Sequence, residues 1–171
     1  RAQNTDFTLN SSPDGPQGLV TATTSQATAA ATGAVTADEL RNLKWGVGRA
    51  YREHPSCAYM GNDQTLRDIM GLKDGEGRYL FMPDPRDGGQ PTVWGSPFIV
   101  NNDVAVMATG TVSVVFGKGN AYKIRDVRGF TLLRMDERYA PSLQVSFLGF
   151  ARADGGLINA GRNPIQHIVM A

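Results

Sequence analysis

The sequence is short of cysteine, histidine and net charge, and each shortage removes a class of protein. Cys57 is the single cysteine, so no internal disulfide can staple a small secreted fold, and a reducing compartment is acceptable. His54 and His167 are the 2 histidines, and neither has a Cys or His at metal-ligand spacing, so no metal and no cofactor is expected. The 17 Lys and Arg residues against 16 Asp and Glu leave a formal net charge of +1, too little for a global basic field that holds nucleic acid by counterion release. No apolar run approaches the ~18 residues of a membrane helix, the first residues lack the charged-then-apolar order of a signal peptide, and no membrane partner is expected. No internal repeat is found.

What is present is a chain of 171 residues, 41% hydrophobic, enough to bury a core as one domain or one domain plus a fragment. It opens on Arg1 and runs directly into polar residues, which reads as a fragment or a processed chain. Asn10-Ser11-Ser12-Pro13-Asp14-Gly15-Pro16 and a Thr/Ala-rich tract over 21–32 break helix patterning, so residues 1–35 are expected to be loop with one short strand. Thr36-Ala37-Asp38-Glu39 has capping-box spacing, and Leu40, Leu43, Val47 and Tyr51 follow on one face, predicting a helix over 37–52. Pro55 ends it, and Cys57-Ala58-Tyr59-Met60 suits a buried strand. Asn62 offers the N-cap of a second helix carrying Leu66, Ile69 and Met70 up to Gly71.

Residues 74–90 are rich in Gly and Pro around Arg78-Tyr79-Leu80-Phe81, predicting a long loop or extended arm and a contact surface. Beyond Pro91 strand-like runs cover 92–100, 110–116, 122–127, 130–135, 143–150 and 165–170. Helices first and strands later, without regular alternation, predict a segregated α+β fold.

Candidate chemistry is sparse, and no catalytic residue is assigned. His54 lies three positions before Cys57, the arrangement of an activated thiol, but a thiol in an apolar run ordinarily behaves as a small buried hydrophobe. Gly117-Lys118-Gly119-Asn120 lacks the spacing and the following helix of a phosphate-cradling loop, so a hairpin turn is expected. Asp74-Gly75-Glu76-Gly77 lacks the alternating ligands of a calcium loop and is expected to be a solvated turn. Arg134, Asp136, Glu137 and Arg138 mix signs at what should be a tip between two strands: either a soluble hairpin end or a contact through which copies exchange ion pairs.

Taken in order, several segments resemble the major capsid proteins of tailed bacteriophages, the family whose architecture is called the Hong Kong phage capsid fold. Asp14-Gly15-Pro16-Gln17-Gly18-Leu19 looks like the family's Pro-Gln-Gly-Leu turn, and the capped helix from Thr36 leads to His54-Pro55-Ser56 and a short strand as it does there. Residues 62–72 resemble the next family helix. Lys73-Asp74 with Gly77-Arg78-Tyr79-Leu80 is similar to the Lys-Asp-x-x-Gly-Arg-Tyr segment, and Trp94-Gly95-Ser96-Pro97-Phe98-Ile99-Val100 to the Gly-x-Pro-Val-Val strand.

The resemblance runs from about residue 10 to the end. It implies an axial, capsomer-centre domain over 10–127 and 156–171, a central β-sheet flanked by helices. Residues 128–155 are then returning strands of the peripheral domain, and 1–9 a loop or remnant of an N-terminal region whose arm, extended loop and spine helix are not in this sequence.

The resemblance also implies a non-enzymatic structural protomer that self-assembles into pentamers and hexamers around phage or prophage DNA, without sequence-specific DNA binding. Scaffold, head protease and portal proteins are implied partners, the virion capsid the location, and the bacterial host cytoplasm the place of assembly. Interface residues by the same transfer are Arg134, Asp136, Glu137 and Arg138 at the peripheral tip, with Met82, Asp84, Arg86 and Asp87 near the capsomer centre. Crosslinking members join a Lys of the extended loop to a peripheral-strand Asn with help from a Glu. The matching strand here reads Pro141-Ser142-Leu143-Gln144-Val145, with neither residue where expected, so crosslinking is not implied. Without arm and extended loop, this chain alone is expected to be a monomer or weak oligomer. Alternatives are an encapsulin-like compartment on the same fold, or a small hydrolase or ligand-binding domain using His54 and Cys57.

Overall fold

The first well-formed helix starts where the sequence closes a capping box. Thr36 Oγ1 accepts from the Glu39 N–H at 3.3 Å and Glu39 Oε2 accepts from the Thr36 N–H at 2.8 Å, satisfying two of the amides a helix start leaves free. Glu39 Oε1 also takes the Ala30 N–H at 2.7 Å. Burial acts to raise the Glu39 pKa, but these hydrogen bonds outweigh it and hold the carboxyl below its usual value.

In the computed structural model, which describes residues 16–82, 91–136, 138–158 and 162–171, the elements run as follows. A single helical turn α1 (Leu19–Ala22) leads into β1 (Thr24–Thr28), then α2 (Ala37–Gly46), α3 (Arg49–Arg52), β2 (Cys57–Gly61) and α4 (Asp63–Met70). After these come β3 (Thr92–Val93), β4 (Ser96–Val100), β5 (Val112–Lys118), β6 (Tyr122–Met135), β7 (Ser146–Leu157) and β8 (Ile165–Val169). The segregated α+β expectation holds.

Six strands form one mixed sheet in the order β1-β8-β5-β2-β4-β3. β5 sits inside it because Ser113-Val114-Val115-Phe116-Gly117 can be buried on both faces, and all five are. Alternation along the strands then sorts the core. On one face Cys57, Tyr59, Val114, Phe116 and Ile168 pack beneath Leu40, Leu43 and Val47 of the α2 region and Ile69 of α4. The other face gathers Val115 and Ile165 with Val20 of α1, joined by Met60 and Leu157. Tyr59 is fully buried and its hydroxyl donates to the Leu40 carbonyl at 3.0 Å, so burial of the ring does not orphan its oxygen. Gly117 is a requirement of the close β5–β8 approach: a Cβ there would lie 2.5 Å from Ile165 Cα and Pro164 O.

The remaining two strands leave the sheet. β6 and β7 pair antiparallel from Tyr122↔Leu157 to Met135↔Ser146, with a register shift between Val127 and Thr131. Fourteen residues of strand reach roughly 45 Å. The ribbon is anchored at its base, where the Gln17 N–H donates to Gly155 O at 2.9 Å and the Ile158 N–H to Ala121 O at 2.9 Å.

Several expectations change. The hairpin turn expected over Gly117-Lys118-Gly119-Asn120 is a 3-10 turn that carries the chain from one sheet to the other, since β5 pairs with β2 and β8 while β6 pairs with β7. The helix over 37–52 is two helices, because Gly46 and Gly48 flank Val47; the α2 end lies so close to the sheet that a Cβ on Gly46 would collide with Gln26 and Gln166. The strand over 92–100 is a hairpin: Trp94 (φ 49) and Gly95 (φ 73) form a two-residue turn with both residues left-handed. The strands over 122–127 and 130–135 are one strand, since a bulge absorbs the irregularity around Gly129. The strand expected over 143–150 is displaced to Ser146–Leu157, because a 3-10 turn over Ala140–Ser142 and Leu143 at φ 54 close the ribbon tip.

Candidate functional site

The ribbon breaks the usual division of a strand pair into a buried and a wet face. Leu133 stands opposite Leu148 and Thr131 opposite Phe150 on one face. Leu132 opposite Gly149 and Arg134 opposite Phe147 occupy the other, with the Phe130 ring laid over Gly149. Phe130, Leu132, Leu133, Phe147, Leu148 and Phe150 are 47–69% exposed, so both faces are apolar and both are open. An antiparallel pair that ends its work in water keeps one face polar, and an isolated two-stranded ribbon is marginal on its own.

Sequence reasoning placed contacts at the tip and missed these faces. The signal was legible in Phe130-Thr131-Leu132-Leu133 and Phe147-Leu148-Gly149-Phe150, where apolar residues fall on consecutive positions rather than alternating.

At the tip, Arg134, Asp136 and Arg138 line one open groove of about 620 Å³ together with Met135. Arg134 Nε donates to Asp136 Oδ1 at 2.7 Å, and the Arg138 guanidinium stands 5.9 Å from the Tyr139 ring centroid. An exposed ion pair of this kind adds little stability, while fixed charges at a contact set register and partner choice. Leu143, beside them, is 97% exposed. Glu137 lies outside the described residues.

Met82 is not part of that cluster. It lines a separate groove of about 540 Å³ with Thr36, Leu80, Phe81 and Trp94. Trp94 is held in its left-handed conformation by Nε1 donating to Ala37 O at 3.2 Å, by Lys44 Nζ on its carbonyl, and by an edge-on contact with Phe81 at 5.8 Å. Asp84, Arg86 and Asp87 lie outside the described residues.

The residues of a hydrolase do not converge. Cys57 is buried, its Sγ–H donates to Tyr51 O at 2.9 Å, and burial pushes its thiol pKa up, away from the nucleophilic thiolate. His54 Nδ1 is engaged by Ser56, so it is not the base of that thiol. His167 lies in β8, where Nδ1 meets Thr23 Oγ1 at 2.7 Å. That hydroxyl also donates to Val20 O at 2.8 Å, so the ring supplies the proton of the shared bond. Among the described residues no group of His, Cys, Asp and Glu is placed to hold a metal ion. Asp74 Oδ1 accepts from the Glu76 and Arg78 N–H groups at 2.9 Å, which makes its segment a self-bonded turn.

Against known families, the model described as the phage capsid family matches residues 1–169. The chain belongs to the phage capsid family. Membership points to a structural role. Solved structures share the fold: the capsid of a native GTA particle is 24% identical at TM-score 0.77, covering 98% of this chain and 60% of that one. Gordonia phage Cozz is 15% identical at TM-score 0.62, covering 99% and 56%. The holo-SrpI encapsulin complex of Synechococcus elongatus is 13% identical at TM-score 0.56, covering 89% and 55%. The chain therefore spans about 60% of the length of the GTA capsid chain it matches. A comparison with the curated proteins returns no match.

Proposed function

We propose that the protein is a major capsid protomer whose copies form the pentamers and hexamers of an icosahedral shell around phage or prophage DNA. The six-stranded sheet with its helices serves as the axial domain at the capsomer centre, and the β6–β7 ribbon as returning strands of the peripheral domain. In this reading Arg134, Asp136, Glu137 and Arg138 meet neighbouring copies at the ribbon tip, and Met82, Asp84, Arg86 and Asp87 face the capsomer centre. Scaffold, head protease and portal proteins are the partners of assembly, which takes place in the host cytoplasm.

The observation that carries the reading is the ribbon with two apolar faces. Contiguous exposed apolar surface marks a contact surface, and here it extends over both sides of an element too thin to be stable alone. In this reading neighbouring copies cover at least the open face that carries Leu132 and Phe147.

Electron microscopy of the full-length protein expressed beside the 171-residue chain tests this. Uniform shells from the former and only monomers or weak oligomers from the latter are expected. A full-length protein that stays a small species even with its neighbouring genes co-expressed contradicts it. An encapsulin-like compartment is the second reading, favoured by the likeness to the SrpI shell; an adjacent cargo gene, in place of portal and terminase genes, would select it.

A further inference from the structure

Where the sheet hands over to the ribbon, a set of cationic and donor groups stands unused by the shell reading. Lys118 ends β5, Asn120 and Ala121 belong to the 3-10 turn that follows, and Lys123 is the second residue of β6. With Tyr51 of α3, His54 and Ile158, they line an open cavity of about 280 Å³. Among the described residues no Asp or Glu lines it. Among the described residues, neither lysine takes part in an ion pair; the carboxylates that do are paired with arginines elsewhere.

The state of His54 follows from its neighbour. Its Nδ1 lies 3.1 Å from the Ser56 backbone N–H and 2.7 Å from Ser56 Oγ. A backbone N–H can only donate, so Nδ1 is the acceptor and the neutral ring carries its proton on Nε2. His54, which lines the cavity, therefore carries a donor nitrogen. The Lys118 N–H donates to Pro164 O at 3.0 Å and the Gly119 N–H to Ser56 O at 3.4 Å, so these two amides are engaged within the fold. The side chains of Lys118, Lys123 and His54 are the groups proposed to hold a ligand.

Lys118, Lys123 and His54, drawn from β5, β6 and the segment after α3, line one space that no Asp or Glu lines among the described residues. Donors spread in this way match an oxyanion that has several oxygens in a tetrahedral arrangement better than the two coplanar oxygens of a carboxylate. We propose that this cavity is a binding site for a phosphate group, taken either from free phosphate or from a nucleic-acid phosphodiester. Lys118 belongs to the sheet and Lys123 to the ribbon, so a bound phosphate bridges the two and fixes the junction between them. The phosphodiester source rests on the capsid reading; the site itself does not.

With 2 histidines in the chain, proton NMR of the imidazole Cε1–H signals reads the site directly, and the buried His167 serves as an internal control. The 171-residue chain is titrated at fixed pH and ionic strength with sodium phosphate, and separately with a short DNA duplex, with chloride as the balancing ion. The His54 signal is expected to shift saturably while His167 stays in place, and a Lys118→Gln/Lys123→Gln variant with an unchanged melting temperature is expected to lose the saturable shift. A response to phosphate assigns the free anion as sufficient. A response to the duplex whose log–log salt slope falls by about 1 for each lysine replaced assigns the phosphodiester. A His54 signal that moves with neither, or that moves equally in the double variant, overturns the site. None of these outcomes depends on whether the full-length protein forms shells, which microscopy decides separately.

Discussion

The six-stranded sheet and the β6–β7 ribbon are made from similar apolar residues and treat them in opposite ways. In the sheet, Tyr59, Val114, Phe116 and Ile168 are fully buried beneath α2 and α4. In the ribbon, Phe130 is 69% exposed and Phe147 62%. The centre of the sheet is buried within this chain, under a helical layer on one face and α1 with the ribbon base on part of the other. The ribbon has the composition of a strand pair buried on both sides, and no layer covers it among the described residues. A buried sheet core and an exposed apolar ribbon thus share one polypeptide, and the proposed function assigns assembly to the second.

Substitutions in the two regions should separate stability from assembly. Phe116→Ala, in the sheet core against Tyr59 at a 4.5 Å ring-centroid distance, is expected to cost about 3–5 kcal/mol, measured by urea denaturation. A loss under about 1 kcal/mol would mean that the sheet is not the stable half. Thr36→Ala removes the reciprocal cap of α2 and should lower stability by about 1 kcal/mol. The same denaturation midpoint reads it, and an unchanged midpoint would show that the α2 start is held by packing alone.

The sheet also carries a pH dependence through His167, and the ribbon strands hold no histidine. Burial holds the His167 pKa below its usual 6.5. Below that value the unfolded chain takes up a proton that the native imidazole refuses, so stability falls as pH drops through the window between the ordinary and the native pKa. His167→Asn should flatten the profile in that window; an equally steep profile in the variant would assign the loss to other groups.

The smallest stability effect belongs to the ribbon. Leu132→Ser with Phe147→Ser, both on one open face, should change the unfolding free energy of this chain by no more than about 0.5 kcal/mol, because the side chains are already in water. A large loss by the same denaturation would show that the ribbon already completes a core within the chain.

Much of the sheet half was legible in the residues. The capping box at Thr36, the Asn62 cap and the apolar run from Cys57 are local signals with local causes, and each produced the expected element. Boundaries were lost where tertiary contact decides. Gly46 ends α2 because the helix meets the sheet there, and no helical periodicity announces that. Trp94-Gly95 turns although a bulky aromatic is a poor left-handed residue, because Ala37, Lys44 and Phe81 hold it.

Of the residues brought forward from the sequence, three charged ones are neighbours in the fold. Arg134, Asp136 and Arg138 do share one groove, but the neighbouring apolar faces were read as ordinary strands, since a strand sequence does not state how many layers will cover it. The cluster of His54, Lys118 and Lys123 was invisible for another reason: positions 54, 118 and 123 come together only when β5, β6 and the segment after α3 converge.

The most direct test of the ribbon's role is electron microscopy of the full-length protein carrying Leu132→Ser and Phe147→Ser beside the unsubstituted protein. Icosahedral shells from the unsubstituted protein, and folded but unassembled protomers from the variant, are the expected result. Intact shells from the variant would contradict it and place the assembly contacts elsewhere in the molecule.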